Sequence, residues 1–350
     1  MDVSDNSSPS SAAASTPDGI LIVGYGKSGT KRLMGVFDLC RNTHCRSEPY
    51  FLSGSPWQQL AAPPRSWVLA ADDATLLERE WDEAVQWCRL RMGELDRLPP
   101  PPKDHLYAIP RRLGLLHLLG SRKARRVLRF AMPALRDPEW LVPRWAGDWA
   151  ALAGAIVVLR MVQAPASAVW ALRHRPQYKV VHIVRHPAAV LHSWSVRFLQ
   201  TQDADRVRRD NIERLKLMMH HDLAWSGRFR DVETMSVEES EMWFWAYATR
   251  VTHEAGEGQP GYELVLDERI ALNPIEVASQ LLPACGLAFN TQIETVLSRK
   301  APGWRACTAG WRDMIDVRHV ELIERILDGS HTRDWWEPNQ IVSGFDYRYC

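Results

Sequence analysis

Residues 20–35 read ILIVGYGKSGTKRLMG, and this stretch decides the fold. The first four residues are apolar and mostly β-branched, which predicts a strand buried on both faces of a parallel sheet. The next seven residues, 24–30, contain three glycines, a lysine and two hydroxyl side chains, and apolar residues at helical spacing follow. A strand, a glycine loop and a helix aim backbone N–H groups and the positive end of the helix dipole at an anion. The stretch therefore predicts a phosphate or sulfate site.

Three kinds of anion-binding loop compete for this stretch. The glycines match the dinucleotide-binding pattern G-x-G-x-x-G, and Glu48 follows at about the distance that a Rossmann fold uses. The P-loop pattern G-x-x-x-x-G-K-[ST] fails in both registers, because Leu21 or Thr30 falls where a glycine or a lysine is required. The third pattern is V-G-x-x-K-S-G-T, and residues 23–30 match it without a gap.

A second stretch, residues 179–195, reads KVVHIVRHPAAVLHSWS. Its apolar start predicts another buried strand, which ends at Arg185, and Pro187 opens a helix, where proline is tolerated in the first turn. Ser193 lies eight residues after Arg185. Together the two stretches resemble the sulfotransferase family, in the style of its carbohydrate-type and bacterial members. That family's loop reads V-G-x-x-K-S-G-T, and its later strand ends in an Arg followed at the same distance by a Ser.

The resemblance implies an α/β fold with three layers, similar to that of the P-loop NTPases: a central parallel sheet of about five strands with helices on both faces. Apolar runs predict further strands at residues 155–162 and 262–266. Helical periodicity covers residues 203–225 and 237–254, and a last helix is expected from about Val317.

The resemblance also implies a co-substrate and a reaction. The co-substrate is 3′-phosphoadenosine 5′-phosphosulfate (PAPS), and its sulfuryl group would move to a hydroxyl or amine of a carbohydrate or small-molecule acceptor. No metal is needed in such an enzyme, because Lys and Arg side chains neutralise the charge. Lys27 would stabilise the leaving oxygen, while Arg185 and Ser193 would hold the 3′-phosphate and so select PAPS over ATP. The 5′-phosphate would be held by the loop residues Gly26, Lys27, Ser28, Gly29, Thr30 and Lys31.

Two parts of the donor site depart from the family pattern or stay ambiguous. The family usually has a second Thr and then an aromatic residue where this chain has Lys31 and Arg32. The C-terminal donor-binding loop has two candidates. One is the segment 299–304, RKAPGW, and the other contains Trp311 and Arg312.

The acceptor hydroxyl needs a base near the glycine loop. Glu48 is the first candidate, because it belongs to a Glu-Pro pair that resembles the one at the end of the second strand in carbohydrate-type sulfotransferases. The alternatives are His44 and His105, since the branch of the family that acts on small molecules uses a His.

The composition fits one large domain. The chain has 350 residues, 46% hydrophobic content and a net charge of +1, so no global field argues for nucleic acid. Residues 1–18 are expected to be a disordered tail and residues 19–350 a single domain, with a helical insertion at about 53–149 on the acceptor side. Neither a secretory signal nor a membrane span is visible, and the six scattered cysteines predict reduced thiols and a cytoplasmic location.

Other functions stay open at this stage. A P-loop kinase using ATP is the main alternative, and a Rossmann dehydrogenase is disfavoured by the Arg185 stretch. A catalytically inactive relative that binds a nucleotide is the alternative from a different class. The acceptor is not named by any motif, and the oligomeric state is open, with a homodimer as one option.

Overall fold

Five strands form a single parallel sheet in the computed structural model, which describes residues 16–51, 54–68, 70–89, 153–196, 204–228, 231–309 and 315–327. The strands are β1 (Gly19–Gly24), β2 (Thr43–Ser47), β3 (Ile156–Val162), β4 (Tyr178–Val184) and β5 (Tyr262–Leu266). Their order is β2-β3-β1-β4-β5, and each neighbouring pair is parallel.

Helices connect the strands and follow the sheet. Those in the first part of the described chain are α1 (Thr30–Phe37), α2 (Trp57–Leu60), α3 (Ala71–Arg89), α4 (Pro165–His174), α5 (Pro187–Trp194) and α6 (Ala204–His221). Those in the second part are α7 (Leu223–Ser226), α8 (Val237–Gly256), α9 (Asp267–Leu272), α10 (Pro274–Ala284), α11 (Thr291–Ala309) and α12 (Val317–Leu327). Short 3₁₀ turns lie at Pro49–Phe51 and Val232–Thr234.

The sheet is covered on both faces because alternate residues of each strand point to opposite sides. From β1, Ile20 and Ile22 pack with α1, α10 and α11, whereas Leu21 and Val23 pack with α2, α3 and α4. The second face contains a buried aromatic cluster, in which Trp81 lies 4.9 Å from the ring centroids of Trp57 and of Trp170. A third cluster joins α5, α6, α8 and α12. This arrangement confirms the predicted three-layer α/β fold.

The topology brings the ends of three strands together at one edge. The chain leaves β1 towards β2 and β3 on one side and continues to β4 and β5 on the other. In open parallel sheets ligands bind outside the carboxyl ends of the strands, at the point where the strand order reverses. Here that point lies around the carboxyl ends of β1, β3 and β4, so the loop after β1 occupies it.

Most predicted strands and helices are found within one or two residues of their expected bounds where the structure describes them. The predicted helix 203–225 is instead divided at Asp222 into α6 and α7, because the Asp222 side chain caps α7 by accepting a hydrogen bond from the Ala224 N–H.

One further local prediction is wrong. Residues 299–304, expected as a loop, lie inside α11, with Pro302 in the helix interior. Leu297 and Ala301 of this helix are buried, and this packing outweighs the helix-breaking tendency of proline and glycine. The predicted tail up to residue 15 and most of the predicted insertion lie outside the described residues.

Three further observations concern the described part of the chain. Cys40, Cys88 and Cys285 are buried and Cys45 is partly buried, and no disulfide joins any two of them. No group of three or more His, Cys, Asp or Glu residues there could hold a metal ion. Among the helices that the structure describes, none combines the length and the apolar character needed to span a bilayer.

Candidate functional site

The loop after β1 is held in a left-handed backbone conformation at two positions. Lys27 has a φ of 67° and Gly29 a φ of 77°. Gly29 is the N-cap residue of α1, and no side chain caps this helix end. The first N–H groups of a helix lack intrahelical partners, so an uncapped first turn offers donors and a positive dipole to an anion.

Asp267 enforces a glycine at position 29. A Cβ atom built on Gly29 would lie 1.8 Å from Oδ1 of Asp267, so no larger residue fits unless this carboxylate moves. The Asp267 side chain is only 2% exposed and begins α9, directly after β5. The loop therefore packs directly against a buried carboxylate, with no space for a side chain at position 29.

Two arginines share the Asp267 carboxylate. Arg32 donates through Nη1 to Oδ1 at 3.0 Å, and Arg185 places Nε 3.5 Å from Oδ2. Arg185 also donates through Nη1 to the Lys27 carbonyl at 3.0 Å. Burial raises the pKa of Asp267, and the two guanidinium groups act in the opposite direction. The first and second sequence motifs thus meet in one bonded network.

The neighbouring residue Glu268 fixes the turn after β4. Its Oε1 accepts a hydrogen bond from the His186 backbone N–H at 2.9 Å, and His186 is the N-cap of α5. Burial, followed by the charge of Asp267, raises the pKa of Glu268 to about 7. Oε2 of Glu268 is buried without a hydrogen-bond partner among the described residues, which is consistent with a carboxyl group that gains a proton readily.

Arg160 of β3 ties the loop helix to Glu48. This guanidinium is buried and donates through Nη1 to the Thr30 hydroxyl and through Nε to the Ser47 hydroxyl, both at 2.9 Å. Its Nη2 forms a short ion pair with Glu48. The Glu48 side chain remains 27% exposed, so it is held in place yet open to the cleft.

These groups line a cleft of about 530 Å³. Its lining residues are Gly26, Lys27, Gly29, Thr30, Lys31, Glu48, Arg160, Val162, Gln163, Trp194, Val207, Asp210, Asn211, Arg214 and Glu241. Three of them are non-glycine residues with positive φ, namely Lys27, Glu48 and Gln163. Backbone strain of this kind clusters at functional sites, so its concentration here marks the cleft as the candidate site.

A second wall of the cleft is formed by α6 and α8. Glu241 of α8 is buried and accepts hydrogen bonds from the Tyr25 hydroxyl at 2.6 Å and from Asn211 Nδ2 at 3.0 Å. Burial raises the pKa of Glu241, while the nearby Arg214 guanidinium lowers it. This wall therefore carries both a hydrogen-bonded carboxyl group and a cation.

The predicted site residues divide into three groups by position. Those that line the cleft are Gly26, Lys27, Gly29, Thr30, Lys31 and Glu48. Ser28 is fully buried beneath the loop, and its hydroxyl has no hydrogen-bond partner among the described residues. Arg185 lies beside the loop, and the half-buried Ser193 lies on α5 outside the cleft lining.

The remaining candidates do not lie in the cleft as described. His44 is buried on β2, where its Nε2 lies 3.1 Å from the Cys88 carbonyl of α3. His105, Trp311 and Arg312 lie outside the described residues. Of the departures from the family pattern, Lys31 lines the cleft, whereas Arg32 turns to Asp267 and lies 5.5 Å from the centre of the Trp304 ring.

The sequence reasoning missed Arg160 and Gln163. Arg160 is the one charged residue in the run IVVLRMV of β3, and a charge inside a strand buried on both faces is a signal that could have been used. Gln163 follows the same strand and has no distinguishing sequence pattern. Its place is set by the register of β3 against β1, since its N–H donates to the Gly24 carbonyl at 2.9 Å.

Solved structures similar to this chain include two sulfotransferases, while no family model and no curated protein matches the sequence. The sulfotransferase domain of the Synechococcus PCC 7002 olefin synthase is 14% identical, covers 89% of this chain and 94% of its own, and has a TM-score of 0.41. The sulfotransferase STF9 from Mycobacterium avium is 13% identical, covers 93% of this chain and 78% of its own, and has a TM-score of 0.40. A retinol dehydratase in complex with androsterone and the inactive cofactor PAP is 14% identical, covers 96% of this chain and 84% of its own, and has a TM-score of 0.34. At TM-scores this low, the likeness carries no argument about activity.

A Gly29→Ala substitution tests the contact between the loop and Asp267. We expect the free energy of unfolding to fall by about 1–3 kcal/mol, because alanine must adopt a left-handed φ and its methyl group displaces a buried ion-paired carboxylate. Denaturant titration measures the change. Gly35→Ala in the same helix is the matched control, since its Cβ would meet nothing within 4 Å. The control is expected to be neutral or stabilising by roughly 0.5–1 kcal/mol, and equal effects in both variants contradict the assignment.

A Glu268→Gln substitution tests the raised pKa of this carboxyl group. The folded-state pKa of about 7 lies above the reference value of 4.5, so the folded protein binds more protons than the unfolded chain between these values. Wild-type stability therefore falls through this group as the pH rises across that window. The variant lacks this contribution, so its stability relative to the wild type should rise from about pH 4.5 to about pH 7 and then level off. Parallel curves of unfolding free energy against pH would contradict the assignment.

Proposed function

We propose that the chain is a sulfotransferase that moves the sulfuryl group of PAPS to a hydroxyl or amine of an acceptor. The observation that carries the proposal is the 3.0 Å hydrogen bond from Arg185 Nη1 to the Lys27 carbonyl, which joins residues 158 positions apart in sequence. A loop suited to one phosphate and an arginine suited to another thus form a single contiguous surface. A ligand with phosphates at two ends of one nucleoside has the shape and charge that this surface fits.

The cradle fits the donor. The left-handed loop, the uncapped first turn of α1 and the cationic Lys27 and Lys31 supply donors for the 5′-phosphate. Nη2 of Arg185 makes no hydrogen bond or ion pair to the described residues, so it is available to the 3′-phosphate. The Arg185 guanidinium also lies near His192 of α5, whose pKa is lowered by burial and then by this charge, and Ser193 is the next residue.

The donor would supply an activated sulfuryl group, and the chain's own residues would supply the charge and the proton acceptor. Lys27 stabilises the negative charge that develops on the leaving phosphate oxygen. Glu48, held by Arg160 at the cleft, accepts the proton of the acceptor hydroxyl or amine. Since Arg160 also bonds Thr30 of the loop helix, the base and the phosphate cradle are fixed relative to each other.

The proposal extends to location. The six cysteines are scattered without paired spacing, as suits a reducing compartment, and we infer a cytoplasmic location from this pattern. Detection of the tagged protein in the cytosolic fraction, with these thiols accessible to alkylation after denaturation without a reductant, tests it.

Variants at the two phosphate sites test the donor assignment. Lys27→Ala should abolish transfer of labelled sulfate from PAPS while the thermal unfolding midpoint is retained. Arg185→Ala should weaken binding of adenosine 3′,5′-bisphosphate by about 2 kcal/mol, roughly thirtyfold, because a charge-assisted contact is lost. Binding of adenosine 5′-phosphate, which lacks the 3′-phosphate, should change much less in this variant.

Isothermal titration calorimetry measures these affinities, with Arg173→Ala as the control because Arg173 is exposed on α4. Unchanged bisphosphate affinity in Arg185→Ala would refute the role of Arg185. Preference for ATP with magnesium over PAPS would indicate a kinase. Bisphosphate binding without transfer to any acceptor in a panel of sugars, phenols, alcohols and amines would indicate an inactive relative.

A Glu48→Gln substitution tests the base. We expect kcat to fall by about 10²–10⁴-fold at saturating acceptor, because proton removal is lost, while bisphosphate affinity stays within about threefold of the wild type. Glu294→Gln on the exposed side of α11 is the control for the change of charge. A wild-type kcat in Glu48→Gln would exclude Glu48 as the base and direct attention to His105.

A further inference from the structure

Arg214 presents a cation on the cleft wall formed by α6 and α8. It belongs to α6 and lines the same cleft as Lys27 and Glu48. The roles proposed above for the donor and for the base do not use it. Two aromatic rings contact its guanidinium, which forms no ion pair with the described residues.

Two aromatic rings contact the Arg214 guanidinium. Its Cζ lies 4.2 Å from the centre of the Phe244 ring and 4.5 Å from that of the Trp67 ring. These rings are themselves packed edge to face, with centroids 5.9 Å apart. Cation–π contact with both rings holds the guanidinium in place without using its N–H groups as donors to an oxygen atom.

The Arg214 guanidinium interacts with the charge of Glu241, but the two groups do not lie close enough to form an ion pair. Its Nε is buried without a hydrogen-bond acceptor, and no described carboxylate forms an ion pair with it. The nearest candidate, Glu241, uses its two oxygens to accept from Tyr25 and from Asn211. Asp210, which also lines the cleft, lies 4.0 Å from Arg206. A partly buried cation that forms no ion pair with the described chain is stabilised by an anionic ligand that reaches it from the cleft.

We propose that Arg214 binds an anionic group of the acceptor, so that the acceptor class is a hydroxyl or amine compound that also carries a carboxylate, sulfate or phosphate monoester. The inference rests on the proposed function, because it takes the glycine loop and Arg185 as the donor side of the cleft. Arg160, the cation nearest to the base, is committed to Thr30, Ser47 and Glu48, which leaves Arg214 to the incoming molecule.

Matched pairs of small probes test this assignment. Each pair shares a hydroxyl-bearing scaffold and differs only in a carboxylate or its carboxamide: glycolate and glycolamide, 4-hydroxyphenylacetate and its amide, and glucuronate and glucuronamide. Dissociation constants are measured by calorimetry with the protein saturated with adenosine 3′,5′-bisphosphate, and again without the nucleotide. We expect the acid to bind at least ~10-fold more tightly than its amide on at least one scaffold, as one charge-assisted contact would give.

Three variants test whether Arg214 causes the preference for the acid over its amide. Arg214→Gln should reduce the acid-to-amide ratio to about one, because the charge and the planar fork are both lost. Arg214→Lys retains the charge without the planar fork and should lower the acid-to-amide ratio by at least ~3-fold. If circular dichroism shows that Arg214→Gln is unfolded, the Arg214→Lys variant decides whether Arg214 binds the anion. Arg209→Gln removes an exposed arginine from the same helix, outside the cleft lining, and should keep the wild-type ratio.

The outcomes separate this inference from the proposed function. No acid preference in the wild type, a preference that persists in the folded Arg214 variants, or an equal loss in Arg209→Gln overturns the anion site. A loss of bisphosphate affinity in Arg214→Gln as large as that in Arg185→Ala also overturns it, because Arg214 would then belong to the donor. Failure of the wild type to bind adenosine 3′,5′-bisphosphate would instead refute the proposed function, and the nucleotide-free titrations would still report on Arg214.

Discussion

The buried carboxylate of Asp267 is the interaction on which the rest of the site depends. It contacts the loop at Gly29 and pairs with Arg32 and Arg185, which come from two different parts of the fold. Removing a carboxylate from water is costly unless its charges are matched, and here two guanidinium groups match it. Because each arginine needs the same carboxylate, the loop helix and the end of β4 are drawn to a common point. This constraint converts two separate motifs into one anion-binding surface.

Much of the fold was predictable because the strands are buried on both faces and read as uninterrupted apolar runs. The closeness of Lys27 and Arg185 was predictable as well, since adjacent parallel strands end at the same edge of the sheet. The rest depends on tertiary contacts that no local pattern encodes. The helix across residues 299–304 is stabilised by buried neighbours in spite of its proline. Arg214 is held in the cleft by the rings of Trp67 and Phe244, which are distant from it in sequence.

The cleft has two walls of different character. On one side Arg160 locks Glu48 to the loop helix, so the groups proposed to act on donor and acceptor move as a unit. On the other side Tyr25 and Asn211 donate hydrogen bonds to Glu241, and the nearby Arg214 forms no ion pair with a described carboxylate. A rigid wall with its charges satisfied suits the reacting groups, whereas a wall with one cation outside any ion pair suits recognition of a partner molecule.

The tight approach of Gly29 to Asp267 also affects how sequences with this loop are interpreted. A glycine in such a loop is usually explained by the close approach of a phosphate to the backbone. In this protein the residue is also constrained on another side, by the buried carboxylate of Asp267. A descendant that had lost all catalysis would still be held to glycine at this position. The glycine is therefore a marker of the architecture, and the side chains at positions 27 and 185 are the better markers of chemistry.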